Sequence, residues 1–146
     1  MVRTNPSNLQ ATFGLVTYYM QTHQTNRVIE VLDRTVSSPA VVPDALAASA
    51  QFYSDMLQWS KAETTLEKLV KIAPNSPEAW FNLANLKATL TKNSEALVAL
   101  SNSMRLNSDR LKVNPKEHDL SADARKSEYF SNLRQLPEFN ALLAPK

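Results

Sequence analysis

The chain has 146 residues, enough for one domain with a real core. Its 16 basic and 14 acidic residues leave a formal charge of +2, with nine against eight over residues 1–108 and seven against six over residues 109–146. Neither part has the excess that would draw it to nucleic acid or to an anionic membrane, and no apolar run approaches the roughly 18 residues of a membrane span.

Cysteine is absent, which removes disulfides, thiolate metal sites and cysteine nucleophiles together and fits a reducing compartment. Gly14 is the single glycine, so the glycine-rich loops that cradle phosphates are excluded. Apolar residues recur at steps of three and four, without strand-like alternation. The fold class is all-α.

The start, MVRTNPSNLQ, has neither an apolar core nor a small-residue cleavage site, so it does not read as a signal peptide. Together with the missing cysteines this fits a cytoplasmic protein. Asn5-Pro6-Ser7 lies 68 residues before Ala73-Pro74-Asn75. Pro74 closes a helix, because the residue before a proline is disfavoured in the α region. Pro6 holds the same place with almost no chain ahead of it, as expected of a chain cut from a longer array.

Residues 9–42 pair a helix carrying Phe13, Leu15, Val16 and Tyr19 with one carrying Val28, Val31, Leu32 and Val36. Ser37-Ser38-Pro39 breaks the second helix, and Val41-Val42-Pro43 links onward. Over residues 43–76, Pro43 suits a first helical turn. Leu46, Ala50, Tyr53 and Leu57 line one face of its helix. A second helix, roughly Ser60 to Ile72, buries Ala62, Leu66, Leu69 and Val70. Residues 77–109 repeat the pattern with Trp80, Leu83 and Ala84, then Ala96, Leu97, Leu100 and Met104, and Ser94 is the expected N-cap of the second helix.

These segments superimpose at a step of 34 residues: Pro43 falls on Pro77, Ala50 on Ala84, Ala62 on Ala96 and Leu66 on Leu100. Small residues at the matched sites let neighbouring helices nest closely. A fixed period of this size marks stacked repeats, each too small to bury its own apolar stripe. Past Asp109 the period is lost. Residues 110–120 read as a link in which Leu111 can extend the preceding helix by a turn. A helix then opens at Ser121 with Ala124, Tyr129, Phe130 and Leu133, and Pro137 ends it and opens a last one to Leu143. Residues 109–146 are thus expected to be a linker and capping helices over the open end of the array. A sharper expectation has Phe139 and Leu142-Leu143 docking into another protein.

Trp80, Leu83, Ala84, Ala96, Leu100 and Pro74 resemble the tetratricopeptide repeat, and APNSPEAWFNLANL is similar to a junction between two such repeats. The resemblance covers about three repeats within residues 1–108, placed at 9–42, 43–76 and 77–109. Two positions depart from it. The usual glycine between paired helices is His23, Leu57 and Thr91, and the usual aromatic of the first helix is Tyr19, Tyr53 and then Lys87.

The resemblance implies a right-handed α-solenoid, a superhelix of antiparallel helix pairs whose first helices line a concave groove for peptides. Carried over, the groove is lined by Phe13, Thr17 and Gln21, by Ala47, Gln51 and Asp55, and by Phe81, Asn85 and Thr89. Gln10, Asp44 and Glu78 stand at one edge. This face has acids and no base, so the clamp that some family members use for a terminal carboxylate is missing. The groove therefore favours a neutral or basic protein or peptide. Phe13 and Phe81 are candidate anchors.

No catalytic, metal or cofactor site is expected. His23 and His118 stand far apart in no metal-ligand spacing, and no nucleophile, base and orienting group come together. The chain reads as a non-catalytic interaction module with no nucleic acid and no direct membrane contact. The alternative is a substrate-recruiting accessory domain of a larger enzyme, such as a transferase whose catalytic part is absent here. Self-association through the open N-terminal repeat face is a further expectation.

Overall fold

The structure, a computed structural model, describes residues 9–143; the expectation resting on Asn5-Pro6-Ser7 lies outside them. Six helices form three successive pairs: α1 (Leu9–Gln21) with α2 (Thr25–Ser37), α3 (Pro43–Asp55) with α4 (Trp59–Ile72), and α5 (Pro77–Thr89) with α6 (Asn93–Val113). Helices α3 and α5 start at Pro43 and Pro77, and the turns that close the first helices centre on His23, Leu57 and Thr91, so the 34-residue step of the sequence is also the step of the helices. The tail adds α7 (Leu120–Lys126), a 3₁₀ turn (Glu128–Phe130) and α8 (Pro137–Leu143).

All three turns between paired helices are built the same way. His23, Leu57 and Thr91 take left-handed φ values of 58°, 60° and 59°. The next residue's amide then bonds back into the first helix: Gln24 N to Tyr19 O, Gln58 N to Tyr53 O, and Lys92 N to Lys87 O, each at 2.8 Å. This is the Schellman closure of a helix, which normally calls on glycine. Packing of the pairs imposes the conformation although the residue type resists it. Leu57 accordingly does not lie on the buried face of α3 as its spacing suggests. It sits in the turn and is 68% exposed.

The chain divides into two compact units, Met1–Lys68 and Leu69–Lys146. In the first, Val16, Val28, Leu32 and Leu46 are fully buried with Ala50, Tyr53 and Ala62. Each buried Leu or Val contributes about 1.5–3 kcal/mol relative to exposure. Tyr53 in α3 donates its hydroxyl to Asp33 Oδ1 in α2 at 2.5 Å, and Lys61 Nζ meets the same carboxylate at 3.0 Å, so one acid joins consecutive pairs. Burial, and then the bond to Asp33, push the Tyr53 phenol well above its ordinary value.

In the second unit, Ala84, Ala96 and Leu100 are fully buried between α5 and α6. Pro77 occupies the first turn of α5, and the Ser76 hydroxyl caps it by accepting from Ala79 N at 3.2 Å. Ser103 in α6 donates to Pro77 O at 2.8 Å, holding the two helices together at that end. Helix α6 begins at Asn93, with Lys92 at the N-cap and no side-chain cap bond, so Ser94 lies inside the helix instead of capping it.

The helix expected from Ser121 is shorter and starts earlier. Asp119 caps α7 by accepting from Ser121 N at 3.0 Å, and the helix ends at Lys126. Arg134 takes up the freed carbonyls, donating to Arg125 O at 2.8 Å and Ser127 O at 2.6 Å. This break turns Phe130 inward, where its ring meets Phe81 edge-on at 5.6 Å and Phe139 at 5.8 Å. Phe130 and Leu133 are fully buried, and Phe139 and Leu143 nearly so. Phe139 is thus committed to the chain's own core and does not stand free for another protein, while Leu142 is half-buried and Leu143 nearly buried at the end of α8.

Candidate functional site

On α1, Thr17 and Gln21 are exposed and Phe13 is half-buried; on α3, Gln51 and Asp55 are exposed and Ala47 is half-buried. Residues spaced by four lie on one side of a helix, so each helix presents one polar stripe. Phe13 stacks on Phe52 of α3 at 5.9 Å and 12°, which sets the α1 and α3 stripes beside each other. Gln51 Nε2 donates to Asp55 Oδ1 at 2.9 Å, fixing the carboxylate on the surface. Thr17 returns its hydroxyl to Phe13 O at 2.9 Å. The face carries a negative charge and hydrogen-bonding amides over an aromatic pair.

The stripe of α5 differs. Thr89 is exposed, while Asn85 is half-buried with its amide oxygen lacking a hydrogen-bond partner. Phe81 is only 9% exposed, because Phe130 covers it. The chain's own tail takes up the ring that the sequence suggests as an anchor. At the edge, Glu78 is engaged by Arg110, whose guanidinium also donates to His118 O at 3.0 Å, whereas Gln10 and Asp44 are exposed.

Of the remaining polar groups, His118 is exposed and contacts Asp123 at 2.6 Å on the tail, and His23 is exposed in the first turn. Among the described residues no group of three or more His, Cys, Asp or Glu could hold a metal ion. No helix among them is long and apolar enough to cross a membrane.

A cleft of about 820 Å³ between α6, α7 and α8 went unread in the sequence. Arg105 and Lys112 lie seven residues apart on α6, hence on one face, and both line it with Arg125 of α7. The i, i+7 spacing of two bases was legible. The third, brought in by the tail, was not.

Helix pairs repeated at a constant step define an all-α helical-repeat protein, the class to which α-solenoids belong. Residues 43–86 match the family model described as tetratricopeptide repeat. The match suggests a protein–protein interaction module. No curated protein and no solved structure matches the chain.

Proposed function

We propose that the α1 and α3 face is a docking surface for a neutral or basic peptide segment of a partner protein. The observation that carries this reading is Asp55, exposed and held in place by Gln51 at the end of a polar stripe. A fixed carboxylate selects against acidic ligands and for a Lys or Arg side chain. Gln51, Gln21 and Thr17 supply further polar groups, and the half-buried rings of Phe13 and Phe52 offer apolar contact. Asn85 and Thr89 present a shorter stripe of the same kind on α5, with Phe81 withdrawn from it. On this reading the repeats lie within residues 1–108, and residues 109–146 are the linker and capping segment.

The test is calorimetric titration of basic, neutral and acidic peptides into the chain and into Asp55→Lys. Basic peptides should bind best and lose at least about tenfold on charge reversal. Equal binding of all three peptides, or no response to Asp55→Lys, removes this face as the working surface.

A further inference from the structure

We propose that the cleft between α6, α7 and α8 is a second docking site, and that it takes an acidic, amphipathic peptide segment of a partner protein. The site is distinct from the α1 and α3 face and has the opposite charge.

Its base is apolar: Met104 and Leu143 are 7% and 8% exposed, and Leu111 and Leu142 are half-buried beside them. Its rim is cationic. Arg105 is exposed and has no hydrogen bond or ion pair among the described residues. Lys112 has a side chain 76% exposed, with only a marginal 3.9 Å contact to Asp109. Arg125 donates to Leu143 O at 2.5 Å, which holds the end of α8 against α7 and keeps the guanidinium at the cleft.

Asp119 is the one acid in the lining, set against the three bases Arg105, Lys112 and Arg125, and its inward oxygen is already occupied. Its Oδ1 accepts from the Ser121 hydroxyl at 2.7 Å, from Asn107 Nδ2 at 2.9 Å and from Ser121 N at 3.0 Å. The net field at the opening is therefore positive, over a base that can accept aliphatic side chains. A ligand with leucines facing in and carboxylates facing the rim satisfies both parts. The lining has no aromatic ring on which a base could stack, which disfavours single-stranded nucleic acid.

Fluorescence anisotropy on the full chain tests this with a labelled peptide of alternating leucine and glutamate, its glutamine counterpart, and a labelled single-stranded oligonucleotide. The glutamate peptide should bind, weaken as salt is raised, and lose at least about tenfold in the glutamine form. Arg105→Glu with Lys112→Glu should cost a similar factor, and circular dichroism should show the helices unchanged, since both side chains are exposed. Arg105→Gln alone gives a smaller loss. Asp55→Lys should leave this binding unaltered, which separates the two faces. Absence of binding, indifference to the double reversal, or a preference for the oligonucleotide overturns the proposal.

Discussion

Lys87 and Glu95 form an ion pair at 3.6 Å across the third helix pair, at the two positions where earlier pairs hold a cation over an aromatic ring. Arg27 lies 5.7 Å from the Tyr19 ring centre, and Lys61 lies 6.0 Å from that of Tyr53. Each of these residues stands 34 positions from its counterpart in the next pair. The base has moved from the second helix to the first, and an acid has replaced it. One contact persists with its chemistry changed.

Reversing the acid alone should therefore be costly. Glu95→Lys sets a second cation beside Lys87, whose side chain is only 6% exposed. Because Glu95 itself is 58% exposed, solvent screens part of the effect, and the expected loss is about 1–2 kcal/mol. Adding Lys87→Tyr recreates the arrangement of the second pair and should recover most of that loss. Urea denaturation of the single and double variants checks this, and a double variant weaker than Glu95→Lys would show that the two sites are not equivalent.

The inter-helix turns give a prediction of opposite sign. Thr91 is β-branched and held at φ 59°, where a Cβ costs about 1–2 kcal/mol. Glycine removes that strain but has more freedom in the unfolded chain and gives up the Thr91 hydroxyl bond to Leu90 O. Thr91→Gly should still stabilise by about 0.5–1 kcal/mol, and Thr91→Ala by less. An unchanged or lower thermal midpoint for the glycine variant would mean that the strain is no larger than the chain entropy and hydroxyl bond given up.

Burial of Phe130 implies that the tail is part of the second unit's core. Phe130→Ala removes a ring packed on Phe81 and Phe139 and should cost about 3–5 kcal/mol. Tyr129→Ala next to it, 59% exposed, should cost under about 0.5 kcal/mol. Hydrogen exchange should show α5 amides losing protection with Phe130→Ala. If only residues beyond 119 lose it, the tail is an independent flap. For the same reason Phe81→Ala measures stability and is a poor probe of ligand contact.

Asp119 sets an acid limit. The Ser121 hydroxyl, then Asn107, hold its carboxyl below the usual carboxylate range. A depressed acid stabilises the fold above its unfolded value near 3.8, and that contribution is lost as pH falls through the lower folded value. Asp119→Asn keeps a side-chain oxygen to cap α7 but loses the charge that strengthens its hydrogen bonds, and after solvent screening should cost about 1 kcal/mol or less at neutral pH. It should also flatten the decline in stability below about pH 4, read by denaturation at a series of pH values. Parallel curves for the two proteins would remove Asp119 from the acid response.

Much of the array was legible because its signals are local. Pro43 and Pro77 mark helix starts, and Ala50, Ala62, Ala84 and Ala96 mark close helix approach. The misreadings have a shared cause in contacts between distant segments. Leu57 fits a helical stripe by spacing, and only the closing of the pair forces it into a turn. The break after Lys126 follows from Arg134 and from the pull of Phe81 on Phe130, 49 residues apart. Candidate groove positions followed from the repeat register. Which of them stay open depends on Phe52 and the tail, and no periodicity reports that.

Helix α6 runs to Val113, 21 residues against 13 and 14 for α2 and α4. At the established 34-residue step, a fourth first helix would open at residue 111, which α6 already occupies. A duplicated unit spanning residues 43–76 would keep every turn in phase. The same unit inserted after Asp109 would sever α6 and remove one wall of the basic cleft. The overrun of α6 thus fixes where counting by thirty-fours must stop.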